Sequence, residues 1–284
     1  MQMISTEDIN KAFSFYNISP EFKERSYQCV QQINDSKIFA NAVSKVYKKL
    51  YLDDFNELKE LWDIENKEVL FASGIDPFVT NIMILIGYKI HAQNLDKNKL
   101  GEQQLVAHKK RVKECFEKDL IQREYNGVRI SQMLWATYFI RLKIIEVGRL
   151  QYEKFVIDDK PIIKIHIPEG SKLDINLVKK SIKSAKKDIA NIFGLHNCEY
   201  MCESWLLSNQ IHSLVDKETN IYKFHELFWV KDGQDCGKDI LNFVYKTNHC
   251  SNYSMLEENT SLQKIIKKEL MAKGKFYLGI GVLK

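Results

Sequence analysis

The segment Tyr200-Met201-Cys202-Glu203-Ser204-Trp205-Leu206-Leu207 decides how the second half of the chain is read. Its first residues alternate as a strand does. Period two places Cys198, Tyr200, Cys202 and Ser204 on one face and Glu199, Met201, Glu203 and Trp205 on the other. Upstream, a β-branched run from Ile162 ends in His166-Ile167-Pro168-Glu169-Gly170, where Pro168 and Gly170 turn the chain. Between the two signals, Ile175, Val178, Ile182, Ala185, Ile189 and Ile192 recur at spacings of 3, 4, 3, 4 and 3. That is one apolar stripe, suited to a helix lying on a sheet. Strand, tight loop, basic helix, strand is the unit with which many α/β folds hold the pyrophosphate of a nucleotide or coenzyme.

Working outward, strands are expected at 151–157, 162–167, 198–206, 221–230 and 276–283. Short helices are expected at 209–214, 238–245 and 261–273, with a polar loop over 246–260. Before Leu150 the pattern changes. Apolar residues there recur at three and four, and Gly and Pro are scarce. Ser5-Thr6-Glu7-Asp8 starts a helix, and Ser19-Pro20 caps a second. Ala40, Val43, Val46, Tyr47 and Leu50 stripe a third, and 55–62 forms a fourth. Asp76-Pro77 opens one running towards His91, with a polar break over 94–99. A charged helix covers 103–121, Asn126-Gly127 turns the chain, and an apolar helix spans 130–146, ended by Gly148. The fold class is therefore α+β: an all-helical N-terminal domain, 1–148, followed by a mixed-sheet α/β domain, 149–284.

With 284 residues the chain can bury one large core or two moderate ones. Its 45% hydrophobic content is too high for a disordered chain of this modest charge. The net charge of +5 divides as +2 over 1–150 and +3 over 151–284. So weak and even an excess speaks against a nucleic-acid protein. The longest apolar runs, 82–87 and 133–140, fall short of the ~20 residues that span a bilayer. Residues 1–10 carry no apolar leader, so the six cysteines are expected as free thiols in a cytoplasmic protein.

Gly170 can take φ > 0, Ser171 and Asp174 have capping-box spacing, and Lys172 adds a charge. The first N–H groups of the helix lack intrahelical partners and suit a phosphate. A capped turn without a ligand has the same pattern. Lys179, Lys180, Lys183, Lys186 and Lys187 are read as a solvated helix face, though a coenzyme phosphate or nucleic acid would also suit them. Glu203 lies between Met201 and Trp205. Apolar surroundings suit a carboxylate to general-base work, and a strand end reaching water is the equal alternative. His166, on the Ile162/Lys164 face, can relay a proton or serve structurally. Glu226, aligned with Tyr222 and Phe224, is a further acid or base. His196, Cys198, Cys202, His212 and His225 lack the spacing of a zinc site, and no metal is expected.

Four motifs in order carry a resemblance: Gly148-Arg149-Leu150-Gln151-Tyr152-Glu153, His166-Ile167-Pro168-Glu169-Gly170, Cys202-Glu203-Ser204-Trp205-Leu206-Leu207 and Asn220-Ile221-Tyr222-Lys223-Phe224. Together they resemble bacterial acyltransferase-domain proteins that join a helical N-acyltransferase-type N-terminal domain to a GNAT-like C-terminal domain. The resemblance implies a GNAT-like mixed sheet that binds acetyl-CoA or another acyl-CoA as co-substrate. It implies transfer of the acyl group to an amine on a small molecule or peptide. Strands 162–167 and 198–206 would splay around the pantetheine, with Gly170, Ser171 and Lys172 at the pyrophosphate. Glu203, His166 and Ser204 are the candidate catalytic residues. The loop departs from the family in offering a single glycine, and Glu203 stands where relatives often have histidine. A GNAT-like module that binds an acyl-CoA or a partner without catalysis is the alternative.

Overall fold

The structure, a computed structural model, describes residues 4–51, 76–98, 100–122, 130–170, 172–247 and 249–284. The expected helix at 55–62, the turn at Asn126-Gly127 and Ser171 lie outside these. The chain divides into two compact units, Met1–Glu146 and Val147–Lys284.

In the first unit, Ser5 caps α1 (Thr6–Tyr16) by accepting from the Asp8 N–H, and Asn17 stops it in the left-handed region at φ 54°. Pro20–Phe22 is a 3-10 turn leading into α2 (Lys23–Asp35). Ser19 makes no side-chain cap there, contrary to expectation; its own N–H donates to Glu117. The α3 helix (Lys37–Tyr51) buries Val43, Val46 and Leu50 of the expected stripe. The helix expected after Asp76-Pro77 is two helices, α4 (Val79–Ile86) and α5 (Tyr88–Lys97). They join at Gly87, where a Cβ would come within 2.7 Å of the Tyr51 ring. The second continues through the polar stretch expected to be a break. Next come α6 (Glu102–Gln122) and α7 (Ile130–Ile140). Phe116 gathers Phe13, Phe22 and Phe78 edge-on, with centroids 5.9–6.1 Å apart. No helix among the described residues is long and apolar enough to cross a membrane.

The helix expected over 130–146 is overturned. It ends at Ile140, where Leu142 takes φ 52° and the Lys143 and Leu142 N–H groups return to the carbonyls of Tyr138 and Phe139. That is a Schellman closure made by leucine rather than glycine. Ile144–Val147 then becomes strand β1. A run that is apolar on every side reads alike as helix or strand.

Strand β2 (Leu150–Ile157) turns through Asp158 and Asp159, both at positive φ, into β3 (Lys160–His166). A right-handed crossover is the usual route to a parallel neighbour. Here α8 (Ile175–Phe193) leads to β4 (Glu199–Ser204). A 3-10 turn (Trp205–Leu207), α9 (Asn209–Leu214) and α10 (Asn220–His225) precede β5 (Phe228–Asp235). The last elements are α11 (Gly237–Tyr245), α12 (Ser261–Met271) and β6 (Tyr277–Leu283). The sheet order is β1-β2-β3-β4-β6-β5. β3 and β4 are parallel, and the pairs β2/β3, β4/β6 and β6/β5 are antiparallel, with a register shift in β5 between Asp232 and Asp235.

The strand expected at 221–230 is half wrong. Thr219 caps a helix by accepting from the Tyr222 N–H, and the strand begins only at Phe228. Glu226 therefore sits at a helix end, off any strand face. The stripe of α8 is as expected: Val178, Ala185 and Ile189 are buried on the sheet, and the five lysines face water. Burying Val178 and Ile189 stabilises by about 1.5–3 kcal/mol each. Ser181, on the same stripe, bonds the Tyr152 hydroxyl and the Val147 carbonyl.

Candidate active site

Parallel pairing of β3 with β4 runs from Ile162–Glu199 to Ile165–Cys202 and stops. Beyond that rung β4 stays in the sheet through β6, Glu203 opposite Ile280 and Ser204 opposite Gly279. The two strands are thus joined over four rungs and part at His166 and Glu203. Backbone groups there are released from the β3/β4 ladder.

Alternation sets what each face of the parting strands presents. The registers place Gln151, Glu153, His166, Met201 and Glu203 on one face. Tyr152, Ile165, Tyr200 and Cys202 lie on the other, with α8. Ser204 falls on this second face, away from His166 and Glu203. Its hydroxyl oxygen accepts from the Leu206 N–H and caps the turn that follows. The structure therefore places two of the three expected catalytic residues on one face and gives Ser204 a local structural bond.

His166 is half-buried, and its Nε2 lies 2.7 Å from Oε2 of Glu153. Glu153 is only 6% exposed and Gln151 3%. A carboxylate so buried needs a charged or hydrogen-bonded partner. With Glu153 as acceptor, Nε2 carries the proton and Nδ1 the lone pair. Glu203 is exposed, and the apolar enclosure expected for it is absent. Trp205 has left the strand and stacks on Phe243 at 6.5 Å. Of the alternatives for Glu203, the strand end reaching water is the one observed.

Arg149 is nearly buried and braces the loop after β3, donating from Nε to the Lys172 carbonyl at 3.0 Å and from Nη1 to the Pro168 carbonyl at 3.1 Å. Gly170 takes φ 99°, and among the described residues beyond its chain neighbours no atom lies within 4 Å of where its Cβ would be. Lys172 is exposed, and Glu169 pairs with Lys246 at 2.5 Å. The expected use of the helix amides needs correction. Asp174, itself the N-cap of α8, accepts from the Asn176 and Leu177 N–H groups. A carboxylate already occupies the positive end that a phosphate would seek. What remains open is the Gly170 loop and Lys172.

Arg149, Gln151 and Glu153 escaped the sequence reading although their motif was in view. The available signal was a strand, Leu150-Gln151-Tyr152-Glu153, with polar residues at alternate positions in its apolar half. Their burial depends on register, which one strand does not disclose. All six cysteines are free. Burial pushes Cys202 up to about 12, so it is not a poised nucleophile.

A mixed sheet in which the parallel pair β3/β4 parts beside a loop and a histidine–carboxylate couple defines an α/β class of domain. Residues 144–283 match the family model described as the GNAT-like C-terminal domain, so the C-terminal half of the chain is a GNAT-like domain, preceded by a helical unit. Over 99% of its length the chain is similar to a solved acyltransferase in complex with decanoyl-CoA, at 17% identity and TM-score 0.73, covering 89% of that chain. A mutant acyltransferase in complex with octanoyl-CoA matches over 100% of this chain and 89% of its own, at 14% identity and TM-score 0.75. An acyltransferase in complex with decanoyl-CoA and teicoplanin gives 16%, 0.74, 100% and 89% in the same terms. Among curated proteins none matches.

Proposed function

We propose that the chain is an acyl-CoA-dependent N-acyltransferase that moves an acyl group from coenzyme A to an amine. The fold is shared with acyltransferases solved with decanoyl-CoA and octanoyl-CoA. That supports an acyl-CoA as co-substrate; the acceptor is read as an amine on a small molecule or peptide. The observation that carries the reading is the His166–Glu153 pair at the point where β3 and β4 part.

The amine nitrogen attacks the thioester carbonyl, a C–N bond forms, the C–S bond breaks and the amine proton must leave. His166 Nδ1 takes that proton, while the buried Glu153 carboxylate holds the ring and stabilises the charge it gains. The proton then passes to the departing sulfur, so the products are an amide and free coenzyme A thiol. Glu203, on the same face, is the second base candidate. Backbone N–H groups released where the strands part polarise the carbonyl. Gly170, Ser171 and Lys172 receive the pyrophosphate: the open space at Gly170 lets a ligand approach the backbone, and Lys172 supplies charge.

Native mass spectrometry of the isolated protein, followed by thiol release from octanoyl- and decanoyl-CoA with a panel of amines, tests this. Bound acyl-CoA and amine-dependent thiol release are expected. His166→Gln and Glu153→Gln should lower kcat by about 10²–10⁴ with little change in acyl-CoA affinity. Glu203→Gln at full activity removes Glu203 from the chemistry. Binding without transfer to any amine supports the second reading, a non-catalytic module. No binding of any acyl-CoA sinks the transferase and the acyl-CoA-binding module alike, and leaves only a module that binds a partner.

A further inference from the structure

Away from the parting strands, a second cluster forms among residues the transferase reading does not use. His212 lies on α9, His225 ends α10 and Glu226 is its C-cap. One ligand atom from each lies within 4.8 Å of the others. In sequence they lack any short metal-binding spacing, and only the pairing of two short helices brings them together.

The hydrogen bonding of His225 is the telling feature. The residue is 7% exposed. Its Nε2 lies 3.0 Å from Asn209 Oδ1. Asn209 accepts there, so Nε2 carries the proton and Nδ1 is left with a lone pair. That Nδ1 is buried and has no hydrogen-bond partner among the described residues. An orphaned buried nitrogen in a native fold calls for a ligand or another cause. His212 Nε2 is also buried, 3.1 Å from Glu226 Oε1 but without hydrogen-bond alignment. The two imidazoles stack with centroids 3.9 Å apart.

An imidazole anchored by an oxygen acceptor through one nitrogen and bare at the other is the usual arrangement of a metal-bound histidine. Two imidazoles and a carboxylate are a donor set that borderline divalent metals accept, with room left for water. We infer that His212, His225 and Glu226 form a binding site for a divalent cation of the zinc class. Coordination opens the imidazole stack, because a lone pair lies in the plane of its ring. His212 also stacks on Tyr222 at 4.2 Å, so binding requires one imidazole to leave a stack of three rings. The bound ion ties α9 to α10 just before β5. This site does not depend on the transferase reading.

The test titrates the full, metal-free chain with Co²⁺ as a spectroscopic probe and with Zn²⁺ against a chelating indicator. Stoichiometric uptake is expected, with visible ligand-field bands and no thiolate-to-cobalt charge transfer in the near ultraviolet. His212→Gln and Glu226→Gln should each weaken binding at least tenfold, and Asn209→Ala about 10–100-fold by freeing the ring of His225. The Glu226 side chain is 52% exposed, so its replacement spares the fold should a histidine variant misfold. Equal affinity in the wild type and Glu226→Gln overturns the site. Thiolate charge-transfer bands overturn it as well, since they assign the metal to cysteines.

Discussion

His108 is fully buried, and among the described residues neither ring nitrogen has a hydrogen-bond partner of good geometry. Burial holds its pKa down to about 4 and takes that of the neighbouring His91 well below the ordinary value. The unfolded chain binds a proton near pH 6.5 and the native one does not. Stability from these rings is therefore fully present above about pH 6.5 and is lost as the pH falls towards 4. For His108 alone the loss is on the order of 3 kcal/mol. Urea midpoints measured at pH 7 and pH 4.5 should differ accordingly, and a flat profile would mean the rings are not neutral in the native state. Single residues were also where the sequence was hardest to read. For Glu203 the alternation leaves enclosure and exposure equally open, and only the turn that takes Trp205 out of the strand decides between them. Glu153 went unassigned because nothing local shows that it meets His166 across a hairpin.

Elements with a strong period were legible. The α8 stripe, the β2–β3 hairpin and the closing strand all sit where apolar spacing and turn residues place them. Two segments were not, and each had a competing local signal. Residues 144–147 continued an apolar run with no periodicity to separate helix from strand. Residues 220–225 alternate aromatics like a strand, but Thr219 caps them as a helix. Contacts between elements leave their own mark on β6. A Cβ on Gly279 would lie 2.0 Å from the Leu207 carbonyl oxygen, so the 205–207 turn rests directly on the strand backbone. Gly279→Ala should cost about 1–3 kcal/mol or more, because backbone rather than a flexible side-chain end must move. Chemical denaturation measures this, and an unchanged midpoint would show that the turn yields freely.

For the whole molecule, the order of motifs disclosed the succession of a helical unit and a GNAT-like sheet. The placement of the His166–Glu153 couple needed all the registers at once. If an acyl-CoA binds the native chain and not the unfolded one, octanoyl- or decanoyl-CoA at a hundredfold excess over its Kd should stabilise the fold by about 2.7 kcal/mol. A melting temperature indifferent to either thioester contradicts that coupling. The sheet has a further property at its rims. At one margin β1 is only four residues long, and at the other β5 exposes Lys231 and Asp232 just before its register slips. Shortness, charge and a kink all discourage an incoming strand from annealing there. Lys231→Val with Asp232→Val should make the protein self-associate with rising concentration in light scattering, through a ribbon edge that these ordinary-looking surface charges keep closed to copies of itself.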